Sequence, residues 1–314
     1  MSRSLCVLGA GAMGSLFGGL LAEGGVEVTL VDIWREHVDA INTRGLTLAS
    51  AAGQRRIPVR AALSTADMSP ADLVFVQCKA VDGRAALRSA MNVVGPDTLV
   101  ISFQNGLGNA ETLSEEAGAE RVLGGLTAQA ASVESAGVVR GYGDLPSWIG
   151  ELDGGVSARV EGLAEFLSAH GLPVSASADI RFDIWKKLMV NVGLSALSGI
   201  MDMRIREVLA SAELRALVDA AIDEAVLVGR AEGHDLDGAA AREVLERIAG
   251  PGGSGENKPS LCHDLRRGRP TEVDFFNGAI VSLGRRHGVA TPVNAVLHGI
   301  VKAMEADAVR EKTN

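Results

Sequence analysis

Gly9-Ala10-Gly11-Ala12-Met13-Gly14 lies between a short apolar run, Leu5, Val7 and Leu8, and a second run with helical spacing, Leu16, Phe17, Leu20 and Leu21. This is a G-x-G-x-x-G pattern in a strand-turn-helix setting, and no other stretch restricts the fold as much. Each glycine answers a separate need: Gly9 a tight turn, Gly11 close approach of backbone to a diphosphate, Gly14 close packing of helix on strand. The helix start then offers N–H groups and partial positive charge to the phosphates. Gly9, Ala10, Gly11, Ala12, Met13 and Gly14 are therefore candidate cofactor-binding residues. The uncharged stretch Ser4 to Ala22, preceded by Arg3, also has the outline of a signal peptide or a membrane helix. Its five glycines, the lack of a small-residue cleavage site ahead of Glu23, and a strand pattern directly behind argue against both.

That next strand, Val26 to Val31, ends at Asp32, eighteen positions beyond Gly14. A dinucleotide fold places a carboxylate near this point, on the adenosine ribose 2′-hydroxyl, where it favours NAD and repels the 2′-phosphate of NADP. The competing reading is an acidic cap on the helix Glu36 to Arg44. Gly45 to Arg60 reads as a small hairpin around Gly53-Gln54. Asp72 to Gln77 is a buried strand running into Cys78-Lys79-Ala80, which places Lys79 on the ligand edge of an open parallel sheet; alone, it also reads as a solvated loop lysine. A helix is expected over Val81 to Val93, then a strand over Thr98 to Ser102 leading to Gln104-Asn105-Gly106. Asn105, again at a strand end, suits contact with cofactor and substrate, or simply the turn before Gly106. Strand patterns at Arg121 to Gly125, Gly137 to Tyr142 and Ser147 to Gly150, and a helix at Val156 to Ala169, complete an α/β domain.

From Asp179 the pattern becomes almost wholly helical: Asp179 to Ser198, Arg204 to Gly229, Asp237 to Ile248, Ser260 to Arg267, Val273 to His287 and Pro292 to Ala306. The shift predicts two domains, a Rossmann-type dinucleotide-binding domain over 1–177 and an all-helical domain over 178–314. The polar end, Asp307 to Asn314, is expected to fray. Net charge is −9, and no run of Lys or Arg exceeds two residues, Arg266-Arg267 with Arg269 being the densest, which makes nucleic acid an unexpected partner. Cys6, Cys78 and Cys262 are far apart and form no zinc pattern, the six histidines show no metal spacing, and no address signal stands out. Cytoplasm, no membrane and no metal are the resulting expectations.

The segment Trp185-Lys186-Lys187-Leu188-Met189-Val190-Asn191 is followed by Asn257-Lys258-Pro259-Ser260 and by Thr271-Glu272-Val273-Asp274-Phe275-Phe276-Asn277-Gly278. Together with the glycine turn, Cys78-Lys79-Ala80 and Gln104-Asn105-Gly106, these resemble the ketopantoate reductase (2-dehydropantoate 2-reductase) family over nearly the whole chain. Lys187, Asn191 and Ser195 repeat every four positions and so share a helix face. Alone, Lys187 beside Lys186 reads as a surface lysine. The resemblance implies instead that Lys187 is the general acid that protonates the carbonyl oxygen as hydride reaches the carbonyl carbon. It implies that Glu272 binds the substrate hydroxyl and supports the lysine, that Asn191 contacts the substrate or holds the lysine, and that Ser260 binds the substrate carboxylate. Asn257, which with Ser260 precedes a short helix whose free N–H groups suit a carboxylate, joins Asn105 as a substrate-binding candidate on position alone. Ser195 stands where the family carries a second substrate-binding asparagine, so the pocket departs there.

Thr271-x-x-Asp274 also reads as a capping box for the helix Val273 to His287. Gly250 to Gly255, just ahead of Asn257, suits either a hinge for closing that loop or a plain connector. At the cofactor end, members using NADPH carry an arginine just after the second strand; Ile33 stands there, beside Asp32, with Arg35 two residues on and Asp82 adding negative charge near Lys79. NAD(P)H is the expected cofactor, with NADH preferred. The expected reaction is reduction of ketopantoate to pantoate. Two alternatives remain open at this point: an NAD-dependent dehydrogenase of another branched 2-hydroxy or 2-oxo acid, and a non-catalytic dinucleotide sensor. A homodimer is compatible with a helical second domain.

Overall fold

The structure is a computed structural model that describes residues 3–313, with side chains through residue 310. It divides into two compact units. The first runs to Gln104 and resumes over Asn109–Asp183; the second comprises Asn105–Gly108 and the chain from Ile184 on.

The first unit contains β1 (Ser4–Leu8), α1 (Ala12–Glu23), β2 (Glu27–Val31), α2 (Arg35–Arg44), β3 (Leu46–Ser50), β4 (Gly53–Ile57), β5 (Arg60–Ala62) and β6 (Ala71–Val76). It continues with α3 (Gly83–Ser89), β7 (Val94–Ser102), α4 (Asn109–Ala117), β8 (Val122–Thr127), β9 (Ala131–Ser135), β10 (Val138–Gly141), β11 (Ser147–Gly150), α5 (Ala158–Ala169) and β12 (Val174–Ala176). Eight strands form one sheet in the order β12-β11-β8-β7-β6-β1-β2-β5, parallel except where β11 meets β8. β1 is central and buried on both faces, as parallel strands are. Leu5 and Val7 enter one core with Phe17, Leu21 and Leu30, while Cys6 and Leu8 enter another with Val74, Val76, Val100 and Leu113.

The hairpin expected over Gly45 to Arg60 is β3–β4, paired from Leu46 with Ile57 to Ser50 with Gly53. It does not stand alone. β3 also pairs in parallel with β10, making a second sheet in the order β4-β3-β10-β9. The apolar helix α1 is covered by both sheets. A Cβ on Gly18 would lie 2.4 Å from Leu30 of the first sheet, and one on Gly19 would lie 2.8 Å from Leu46 of the second. This double burial is why Ser4 to Ala22 carries no charge.

The expected helix over Val81 to Val93 is instead a 3₁₀ turn at Ala80–Asp82, α3, and a second 3₁₀ turn at Met91–Val93. Asn92 donates to the carbonyls of Thr65 and Met68 and accepts from the Thr65 hydroxyl, and these tertiary bonds end the helix early.

The helical elements after the sheet are α6 (Ile180–Met201), α7 (Ile205–Ala210), α8 (Ala212–Ala231), α9 (Gly238–Ala249), α10 (Ser260–Arg266), α11 (Asn277–His287) and α12 (Pro292–Thr313). The single helix expected over Arg204 to Gly229 breaks at Ser211, whose hydroxyl caps α8 by accepting from Leu214 N. The capping box at Thr271 does not form. Thr271 and its backbone donate to Glu305, Asp274 is engaged by His298 and Lys302 of α12, and α11 starts only at Asn277 after a 3₁₀ turn at Val273–Phe275. The helix α12 continues to Thr313 where fraying from Asp307 was expected, and residue 314 lies outside the described residues. Among the described residues no helix is long and apolar enough to cross a membrane.

A buried polar network fixes α6 within the helical unit. Asn277 Nδ2 donates to the Val192 carbonyl at 3.1 Å and to Asn294 Oδ1 at 2.9 Å, while Asn294 Nδ2 donates to Glu224 at 2.7 Å. One network thus joins α6, α8, α11 and α12. Asn277 Oδ1 is itself buried without a partner, but the bonds made by the two amide nitrogens favour one arrangement of the helices.

Candidate functional site

The glycine turn in the first unit is held by sterics at both ends and open in the middle. Gly9 has φ +95°, and a Cβ there would lie 2.3 Å from Cys78 N. A Cβ on Gly14 would lie 2.0 Å from the Gly9 carbonyl oxygen, so α1 and β1 meet backbone to backbone. At Gly11 a Cβ would meet nothing within 4 Å. No side chain caps the N-terminus of α1. Ala12 and Met13 form its first turn. This cradle fits a dinucleotide diphosphate, which needs free approach at Gly11 and donors from the helix start.

Asp32 follows β2 and is half-buried; its Oδ1 accepts from Trp34 N at 2.9 Å, an Asx turn that leads into α2. Ile33 beside it is 94% exposed, and Arg35 and Asp82 are exposed as well. Lys79, half-buried, precedes the 3₁₀ turn after β6. Gln104 Nε2 donates to the Cys78 carbonyl at 2.7 Å, which fixes that loop against the end of β7.

In the helical unit, Lys187 Nζ donates to Asn105 Oδ1 at 2.7 Å. The loop bearing Asn105 docks by a bond from Leu107 N to the Phe275 carbonyl at 3.0 Å. Gly106, at φ +92°, lies so close that a Cβ would be 2.6 Å from Phe275. The same stretch carries Glu272, buried at 7% exposure. Lys187, Asn105 and Glu272, remote in sequence, are thereby brought together. Burial lowers the Lys187 pKa to about 8, against the pull of the nearby Glu272 carboxylate, which raises it. Asn191 is half-buried and Ser195 buried on the following turns of α6.

Asn257 and Ser260 are exposed, and neither side chain makes a hydrogen bond among the described residues. Their segment is anchored next door: Asp202, in the left-handed region at φ 55°, receives Lys258 Nζ at 2.6 Å and pairs with Arg266 at 2.5 Å. These cations hold the Asp202 carboxyl down to about 2. The glycine-rich loop before it is bonded to α7, through Arg206 N to the Gly255 carbonyl and Ile205 N to that of Asn257. Residues that the sequence did not single out are Ser15 and His37, bonded to each other beneath the glycine turn. A serine inside the apolar run of α1 was the available signal; His37 lies in the mostly polar α2 and carried none.

A glycine turn closing a parallel sheet, an acid after the second strand and an all-helical second unit define an NAD(P)-dependent oxidoreductase. Residues 5–154 match the family model described as Ketopantoate reductase PanE/ApbA, and residues 179–305 match that of its C-terminal region. The chain belongs to the ketopantoate reductase family. It is 34% identical over 301 residues to the 2-dehydropantoate 2-reductase of Archaeoglobus fulgidus, covering 96% of this chain and 97% of that one. A solved PanE/ApbA family ketopantoate reductase from Ralstonia eutropha JMP134 superposes with a TM-score of 0.89 at 31% identity, over 97% of this chain and 99% of that one. A ternary structure of D-mandelate dehydrogenase with NADH and anilino(oxo)acetate is similar at a TM-score of 0.92 and 30% identity, over 97% and 99% of the two chains.

Proposed function

We propose that this protein reduces ketopantoate to pantoate with a reduced nicotinamide, NADH in preference to NADPH, and that Lys187 is the general acid. Residues 1–177 form the cofactor-binding domain in this reading and 178–314 the substrate domain. Lys187 carries the proposal: its ammonium is partly desolvated, held by Asn105 and paired electrostatically with Glu272, with a pKa of about 8. Such a group is charged at neutral pH yet gives up its proton readily.

A bound reduced nicotinamide supplies the hydride. As the carbonyl carbon accepts that pair, the π electrons of the C=O bond move onto oxygen, and the proton from Lys187 Nζ neutralises it, leaving the lysine amine. Glu272 keeps the lysine charged beforehand and accepts from the substrate hydroxyl. Asn105 fixes the direction of Nζ. Asn191, Ser195, Asn257 and Ser260 bind the rest of the oxo acid. The Gly9–Gly14 turn with Lys79 holds the diphosphate end, and Asp32 takes the ribose 2′-hydroxyl. The assay is initial rate with ketopantoate and NADH or NADPH; no turnover with either cofactor sinks the proposal and revives the sensor.

Cofactor choice has its own test. The Asp32→Ala, Ile33→Arg double variant removes a repelling carboxylate and adds a guanidinium able to bond a phosphate in two places. It is expected to shift the NADH to NADPH ratio of kcat/KM by about tenfold or more toward NADPH. An unchanged ratio counts against Asp32 as the discriminating group.

A second reading, an NAD-linked dehydrogenase of another 2-hydroxy acid, is favoured by Ser195 in place of the family's asparagine and by the likeness to D-mandelate dehydrogenase. A shorter side chain there leaves space for a bulkier substrate. Faster turnover of phenylglyoxylate, the oxo acid of mandelate, than of ketopantoate selects this reading.

A further inference from the structure

Behind the glycine turn runs a chain of hydrogen bonds that the proposed reaction leaves unexplained. His37 on α2 and Ser15 on α1 are both fully buried, at 0% exposure. The backbone N–H of Gly137, between β9 and β10, donates to His37 Nδ1 at 3.0 Å. An N–H can be received only by a ring nitrogen with a lone pair, so Nδ1 is the acceptor and Nε2 carries the proton. Nε2 lies 3.2 Å from Ser15 Oγ and donates to it. The Ser15 hydroxyl proton then goes to the Ala10 carbonyl, at 2.7 Å. Every donor and acceptor in the chain is matched in one direction, from the second sheet to the turn. Burial holds the imidazole below its usual pKa, against the pull of Asp32, and the Trp34 ring stacks on it with centroids 5.0 Å apart.

The end of that chain is the peptide between Ala10 and Gly11. A trans peptide is planar, with its C=O and N–H on opposite sides. A carbonyl drawn in toward Ser15 therefore turns the Gly11 N–H the opposite way, in a turn that is also open where Gly11 lacks a Cβ. Glycine also tolerates the backbone angles of the flipped peptide, in which a carbonyl oxygen would face a phosphate. We propose that Ser15 and His37 are positioning residues for the dinucleotide, locking the Ala10–Gly11 peptide with its N–H aimed at the diphosphate. The assignment rests on the dinucleotide-binding reading above.

The test is NADH binding to the full chain, followed by nucleotide fluorescence, for wild type, Ser15→Ala, His37→Phe and the double variant. Ser15→Ala leaves the Ala10 carbonyl and the His37 Nε2–H unpaired in a dry site, and about a tenfold rise in the NADH Kd is expected. His37→Phe keeps a ring against Trp34 but loses both bonds, and a comparable rise is expected. Because both changes cut one chain, the double variant should be little weaker than the worse single one. The loss should fall on the NADH Kd rather than on the KM of the oxo acid. Variants that melt earlier but bind NADH as wild type does, well below their own Tm, overturn the proposal and make the chain merely structural. If one variant does not fold, the other decides. A wild type that binds neither NADH nor NADPH overturns the dinucleotide reading and this proposal with it; a wild type that binds, with variants to match, overturns this proposal alone.

Discussion

Lys187→Ala is expected to lower the rate of oxo-acid reduction by about 100-fold or more, the loss typical of removing a general acid. The variant keeps the carbonyl and the hydride donor but loses the ammonium assigned to protonate the developing alkoxide. The loss should appear in kcat as well as in kcat/KM, because the interaction strengthens only as charge forms on oxygen. The pH profile checks the same assignment from another side. The acid must be protonated at the start of the reduction, so activity is present below the Lys187 pKa and falls above it. With that pKa lowered to about 8 by burial, kcat/KM for reduction should decline through about pH 8 and upward. An ordinary exposed lysine would hold the plateau roughly two units higher. Lys187→Arg separates charge from proton transfer. A guanidinium stays charged at every pH used but is a poor donor. It should therefore be far slower than wild type and show no decline near pH 8. Wild-type rates in the alanine variant, or a wild-type profile flat to pH 10, would remove Lys187 from the mechanism.

What the chain reveals before folding depends on how local each feature is. The glycine turn, the strand before it and the helix after it are adjacent residues with separate steric needs, so the first β-α-β stretch is legible from spacing alone. So is the change to helices, where the apolar period turns from strand-like to helical near Asp179. The second sheet is not legible. Its middle is the parallel pairing of Thr47 with Val138 through Ala49 with Arg140, and neither strand signals so distant a partner. The capping box at Thr271 fails for the same reason, since the residues that claim Thr271 and Asp274 sit on α12. Lys187 is the sharpest case. Its spacing with Asn191 and Ser195 marks a helix face, while what singles it out, Asn105 and Glu272, comes from remote segments. The family resemblance is what suggests a role for it; the geometry adds its neighbours. Ser15 and His37 carried no such help, because one serine in the apolar α1 and one histidine in the mostly polar α2 look ordinary in their own helices.

Gly14→Ala and Gly11→Ala should part company, although both add one methyl group to the same turn. At Gly14 the new carbon would be 2.0 Å from the Gly9 carbonyl oxygen and 3.1 Å from a Val7 methyl. Neither can yield: the oxygen belongs to the backbone that leaves β1, and Val7 is fully buried in the core beneath. Relief requires moving α1 off the sheet, yet α1 is also covered by the second sheet, where Leu46 and Leu48 lie against Gly19. Overpacking of this kind is expected to cost about 3 kcal/mol or more. For a unit of this size that is a fall in Tm of about 10 °C, read by calorimetry. At Gly11 the methyl meets nothing within 4 Å, so the fold should be undisturbed and Tm nearly unchanged. What the methyl does occupy is the space that a diphosphate needs beside the turn. Gly11→Ala should therefore fold normally yet raise the NADH Kd by about tenfold, equivalent to about 1.4 kcal/mol. A Gly11→Ala protein that binds NADH like wild type would show that the diphosphate does not lie over the turn, and Gly9 and Gly14 would then serve packing alone.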